Sequence, residues 1–302
     1  MKLGLVSAIL DGWDLESMLK EASAAGYSCV EVACWPAGKA ERRYAGVSHI
    51  DVCDTSPEYI AKVKALFEQY GLTISSLAFY PNPLDPEKGP AAVEHLYHVI
   101  EMSALLGVNM VTTFIGRDQS KTVEENLELV KSVWPPILDY AKEKGVKVAI
   151  ENCPMLFGAD QWPGGQNIFT SPANWQKVFE ALPYDNLGIN YDPSHFIWQM
   201  IDYVKPIYQF KDKIFHVHVK DIKLYRDKLD QVGIMGYPLD FMSPKLPGLG
   251  DVDWGKYISA LTDIGYDGPV CVEVEDKAFE GSSERIVDSI TLSRKYMEQF
   301  VI

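Results

Sequence analysis

Residues 146–151 read VKVAIE, and Asn152 follows. Apart from one lysine the run is apolar and largely β-branched, and it ends on a carboxylate. Three more runs repeat the design: LGINYD at 187–192, IFHVH at 214–218 and VCVE at 270–273. Each is short and flanked by helix-like stretches, the pattern of parallel strands buried on both faces. Glu151, Asp192, His218 and Glu273 then emerge at the carboxyl ends of successive strands. In a closed α/β barrel that end is the active-site face. Two Glu, one Asp and one His form a hard, oxygen-rich set with one imidazole. Such a set suits Mn²⁺, Mg²⁺, Co²⁺ or Zn²⁺ better than a sulfur-loving metal.

The pattern extends in both directions from this half. Strands are expected at 2–8, 29–34, 72–79 and 109–115, with helices at about 15–25, 56–70, 91–106 and 123–144. Later helices are expected from about 171, 196, 253 and 283, most of them closed by a glycine. Pro135-Pro136 is expected to break or kink the fourth helix, because neither proline can donate its helical hydrogen bond. The connector 37–55 lacks periodicity and holds Arg42, Arg43 and His49. Loops 152–170 and 221–253 are long enough to cover the barrel mouth. Strand–helix alternation of this kind predicts an α/β protein, a single (β/α)8 TIM barrel with residues 1–302 as one catalytic domain. An open doubly wound sheet would place a Gly-rich turn after the first strand, which LVSAILDG does not supply.

The net charge of −14 disfavours a nucleic-acid partner, which needs a basic face to displace counterions. No apolar run approaches the roughly 20 residues that span a bilayer. The opening MKLGLVSAIL is too short and too soon acidic for a signal peptide. Five cysteines without CxxC pairing (Cys29, Cys34, Cys53, Cys153, Cys271) read as reduced thiols, which points to the cytoplasm.

Each candidate residue also has a bland reading. Asp192 in NYDPSH could cap the next helix. Glu151 could be a solvated charge, and Glu273 the partner of a lysine. Coincidence argues the other way, since all four acceptors hold equivalent positions in successive repeats. His216 and His218 share one strand face, with His216 a layer deeper as a hydrogen-bonded core histidine. Lys220 continues that face as a substrate or proton-shuttle group, or as the partner of Asp221 or Glu275. His195 lies three residues past Asp192, within reach of a substrate. Trp13, Trp35, Phe79, Tyr80 and Phe114 fall near the ends of the first four strands and could wall a sugar-sized pocket. His95 and His98 read as surface or packing residues.

ENCP, NYDPSH, HVHVKD, PGLGDVDW and VEVED, in this order, resemble the xylose-isomerase-like TIM-barrel superfamily of sugar isomerases and epimerases. The resemblance covers essentially the whole chain. It implies one divalent metal, most often Mn, Co or Mg with Zn as a further candidate, held by Glu151, Asp192, His218 and Glu273. It implies that Glu151 and Glu273 are the catalytic pair, flanking a substrate and exchanging its proton through a metal-stabilised enediolate. His195 matches the histidine that bonds substrate oxygen; Lys220, Trp13, Trp35 and Tyr80 complete the expected binding set. Lys220-Asp221 stands where ketose 3-epimerases usually present an arginine, and the HVHVKD and GDVDW stretches look more like inosose-processing branches. The activity implied is a sugar or cyclitol isomerase or epimerase, in a dimer or tetramer. A lyase of the same superfamily and a non-catalytic sugar-binding barrel are its rivals.

Overall fold

The computed structural model describes residues 1–36, 38, 44–156 and 162–301. Arg42 and Arg43, and the middle of the 152–170 loop, lie outside the described residues. The chain begins with β1 (Lys2–Val6), α1 (Leu15–Ala24), β2 (Cys29–Ala33), α2 (Pro57–Gln69), β3 (Thr73–Ala78), α3 (Gly89–Leu106), β4 (Met110–Thr113) and α4 (Val123–Glu143). It continues with β5 (Lys147–Glu151), α5 (Pro172–Ala181), β6 (Leu187–Tyr191), α6 (Ser194–Trp198), α7 (Lys205–Gln209) and β7 (Ile214–Val219). An excursion follows, made of β8 (Asp221–Leu224), α8 (Arg226–Val232), α9 (Pro238–Phe241) and β9 (Met242–Lys245). The last elements are α10 (Trp254–Asp263), β10 (Pro269–Val272) and α11 (Ser283–Met297).

Eight strands close into one parallel barrel in the order β1-β10-β7-β6-β5-β4-β3-β2. Closure is made where β1 pairs with β10, Lys2 opposite Pro269 and Leu5 opposite Val272. The fold is therefore the expected (β/α)8 barrel, and the eight expected strands all lie in it. Helix starts follow side-chain chemistry. Asp14, Ser56, Ser171, Asp253 and Ser282 each accept a backbone N–H in the first turn of their helix, and Thr122 with Glu125 forms a full capping box.

Two expectations needed correction. Helix α4 runs through Pro135 and Pro136 from Val123 to Glu143 without interruption. Val130, Trp134, Ile137 and Leu138 on either side are fully buried, and the Trp134 indole donates to the Ile115 carbonyl. Packing of that apolar face outweighs two missing hydrogen bonds. The 221–253 connection is also not structureless. Its β8 and β9 form an antiparallel hairpin, Asp221 opposite Lys245 and Leu224 opposite Met242.

The main core lies between barrel and helices. The barrel lumen is different: Glu31, Ser76, Thr112, Asn190, His216 and His218 are all fully buried there. A polar lumen must pair with itself. Ser76 Oγ lies 3.1 Å from Glu31 and 3.2 Å from Thr112, and His216 contacts Asn190 at 2.9 Å and Ser75 at 3.2 Å. His216 is thus a hydrogen-bonded core histidine.

Candidate active site

Glu151 ends β5, Asp192 follows β6, His218 is the penultimate residue of β7, and Glu273 follows β10. Strand register places Cys271 beside His218, so Glu273 leaves β10 next to Lys220, and its N–H donates to the Val219 carbonyl. Parallel pairing alone thus brings the four side chains to one rim. Ligand atoms of Glu151, His218 and Glu273 all lie within 4.8 Å of one another. His218 Nδ1 stands 3.6 Å from Glu151 Oε1 and 3.4 Å from Glu273 Oε2.

Asp192 stands beside this triad and serves two purposes. Its Oδ1 accepts the Ser194 N–H at 2.8 Å, at the entrance to the next helix. Its Oδ2 faces His195 Nε2 at 3.2 Å and Lys220 Nζ at 3.1 Å. Lys220 also donates to Glu273 at 2.7 Å and reaches Glu275 at 3.2 Å, so Glu273 does pair with a lysine while belonging to the cluster. Burial opposes the charge on Lys220, but the carboxylates of Asp192, Glu273 and Glu275 prevail and hold it well above an ordinary lysine. Burial likewise disfavours a charged Asp192, yet Lys220 and His195 hold that carboxyl far below its usual range.

Glu31 was not singled out from the sequence. It lies mid-strand in β2, fully buried, and meets His218 Nε2 with both oxygens at 3.0 and 3.1 Å. Tyr80 donates its hydroxyl to the same carboxylate at 2.7 Å. Burial would push the Glu31 carboxyl up, but His218 above all, then His216 and Tyr80, draw it down to about 2. An ionised Glu31 accepts the proton-bearing Nε2 of His218 and turns Nδ1 toward Glu151 and Glu273. This carboxylate–imidazole arrangement is the one that orients metal-binding histidines. One signal was available: a lone charged residue inside CVEVA, a run that otherwise reads as fully buried.

Whether a cation fits here is decided by atoms that lack partners. Glu151 Oε1, Asp192 Oδ2, His218 Nδ1 and His195 Nε2 are buried and make no aligned hydrogen bond, only close charged contacts with one another and Lys220. Buried polar atoms are rarely left so. Glu151 and Glu273 each offer a carboxylate oxygen within 4.8 Å of a ring nitrogen of His218, a donor set that suits a divalent ion.

The rim opens into a chamber of about 380 Å³. Glu151, His195, Lys220, Glu273, Trp35, Tyr80 and Phe114 line it. Trp13 does not; it packs half-buried on the main core. Between β1 and Trp13 the chain makes the 3-10 turn Ser7–Ile9 and a turn in which the Trp13 N–H bonds the Leu10 carbonyl. Phe79 is also core, edge-on to Trp35 and His95. His95 bonds the Cys34 carbonyl at 2.8 Å, a packing role. Cys153 joins the lining, its thiol within 4.8 Å of ligand atoms of Glu151 and His195.

Against this geometry, the sequence profile described as the xylose isomerase-like TIM barrel matches residues 19–296. YfiH of Bacillus subtilis, an uncharacterized protein, is 26% identical over 91% of this chain and 93% of its own length. An inosose isomerase of Bacillus velezensis is 25% identical over 76% of this chain and 79% of its own. The crystal structure of the IOLI protein with a bound zinc atom superposes with a TM-score of 0.72, covering 99% of each chain at 20% identity.

Proposed function

Because the chain belongs to the xylose isomerase-like TIM-barrel family, we propose that it is a divalent-metal-dependent isomerase or epimerase of a sugar or cyclitol, with its whole length as one catalytic unit. The observation that carries this reading is the convergence of Glu151, His218 and Glu273, in which Glu151 Oε1 and His218 Nδ1 are buried without a hydrogen-bond partner. A similar inosose isomerase and a similar zinc-bound structure support it.

Glu151, Asp192, His218 and Glu273 hold the metal, Mn²⁺, Co²⁺ or Mg²⁺ by the hardness of three carboxylates, with Zn²⁺ admitted by the imidazole and the nearby Cys153. A bound divalent ion supplies Lewis-acid polarisation of a substrate carbonyl and its neighbouring hydroxyl. Glu151 and Glu273 stand on strands separated around the ring by β6 and β7, so they meet the substrate from different sides. One takes the proton next to the carbonyl and the other returns a proton, to the opposite face for epimerisation or to the adjacent carbon for isomerisation. Lys220 and His195 bind substrate oxygens, and Trp35 and Tyr80 shape the wall. Glu31 acts through His218, as a positioning residue.

Solvent exchange tests the reading. In D₂O, with Mn²⁺ added, a keto-sugar or inosose substrate gains deuterium at the carbon beside its carbonyl. Glu151→Gln and Glu273→Gln each abolish net turnover. A product that has lost water identifies the lyase alternative, in which a β-hydroxyl departs after the same proton removal. If neither exchange nor turnover appears across a panel of keto-sugars and inososes while the metal is bound, the chain is a binding protein.

A further inference from the structure

The excursion between β7 and α10 contributes Asp221, Ile222, Leu239, Met242 and Pro244 to the chamber. The Asp221 carboxylate is already spent. It accepts the N–H groups of Ile222, Gly248 and Val252 and the Trp254 indole, at 2.8 to 3.0 Å. The other four side chains carry no hydrogen-bond donor, and the Met242 thioether is their one, weak, acceptor. The wall is also fixed in place: Trp198, Ile222, Leu229 and Phe241 form a buried apolar cluster of their own, with Met242 packed against it. Leu239 lines the chamber yet remains 42% exposed.

The barrel rim that also lines the chamber has the reverse chemistry, with Glu151, His195, Lys220 and Glu273 gathered on it. A bare sugar or cyclitol carries hydroxyls around its whole edge. Hydroxyls turned toward Ile222, Leu239 and Met242 would lose water and gain no strong partner from those three side chains, an unfavourable exchange, although the Trp198 indole N–H, buried in the same cluster, offers a donor at one point of this wall. The chamber's 380 Å³ lies in the range of about 300–1,000 Å³ typical of small-molecule sites.

We infer that the substrate is a sugar or cyclitol bearing an apolar aryl or alkyl group, as in a glycoside or ether, with that group seated on Ile222, Leu239 and Met242. The orientation of the ring, polar face down on the rim, rests on the function proposed above; the apolar wall does not.

The test is calorimetric binding to the full-length protein loaded with Mn²⁺. The probes are matched pairs, methyl and phenyl β-glycosides of glucose, galactose and xylose, with methyl and phenyl ethers of myo-inositol. In at least one pair the phenyl member binds about tenfold more tightly, the gain expected from burying part of an aromatic ring. The double variant Leu239→Asp, Met242→Asp removes this gain and leaves the methyl member's affinity and the metal content unchanged. A milder Met242→Gln variant reduces it in part, in case the double variant fails to fold. The inference is overturned if no phenyl member binds more tightly than its methyl counterpart, or if the gain survives both variants. Failure of the catalytic reading looks different: the phenyl preference persists while no keto-sugar or inosose exchanges hydrogen with D₂O.

Discussion

A carboxylate sealed from water keeps its charge only when its neighbours supply the opposite one, and Glu31 is that case. Its two oxygens are shared among His218, Tyr80 and Ser76 with no solvent contact. Glu31→Gln keeps the shape but removes the charge that aligns the His218 ring. Metal affinity should then fall by about 10- to 100-fold with the fold intact, as read by calorimetry with Mn²⁺. Undiminished affinity would refute the positioning role. His218→Ala should lose most bound metal outright by elemental analysis. His49 offers a separate check on pH. It is buried against Leu10 and Ser7, and burial lowers its pKa below 6.5. The unfolded chain therefore takes a proton that the folded one resists, so this contribution is present above 6.5 and is lost as pH falls below it. The melting temperature should drop from about pH 7.5 to about pH 5.5 less steeply in His49→Asn than in the parent. Residues that end apolar runs were legible, because position in the repeat marks them: Glu151, Asp192, His218 and Glu273 all reach one rim. Glu31 was not, since one charge inside an apolar strand carries no positional label. Trp13 misled because an aromatic near a strand end looks alike whether the chain turns toward the mouth or away.

At the scale of elements, regular strand–helix units were readable from periodicity and caps, and the excursion was not. Residues 221–253 mix Gly, Pro and short apolar runs, and an antiparallel hairpin of four residues per strand leaves no period long enough to detect. What organises the segment is tertiary: the Asp221 carboxylate gathers four donors spread from Ile222 to Trp254. Gly250 passes so close that a Cβ there would collide with the Asp221 carboxylate and the Ile222 carbonyl. Asp221→Ala would orphan those donors, three of them backbone, at a cost of roughly 3 kcal/mol. The loss should be local first. Limited proteolysis should cut within 221–253 at an elevated rate while the barrel stays folded; a uniform loss of stability with no preferential cutting would show that the excursion is not a separate unit.

For the whole molecule, the metal should act as a ligand of the folded state alone. At about 100 times its dissociation constant it would add about 2.7 kcal/mol, a shift of several degrees in melting temperature that a chelator reverses. Absence of any shift with Mn²⁺, Co²⁺, Mg²⁺ or Zn²⁺ would contradict a built metal site. With a net charge of −14, the protein should also neither bind nor cleave abasic-site DNA at physiological salt, as checked by gel shift and strand-nicking assays.

The seam of the barrel carries a further consequence. First and last strands are neighbours, Lys2–Val6 lying against Pro269–Val272. During synthesis β1 leaves the ribosome far ahead of β10 and waits for the intervening repeats before its outer edge is covered. At about 5–20 residues per second that wait lasts on the order of tens of seconds. Throughout it β1, and β7 once it has emerged, expose unpaired N–H and C=O groups, templates for pairing with another nascent chain on the same polysome. Crowded translation is therefore this fold's most vulnerable moment, and chaperone demand should fall sharply once β10 has emerged.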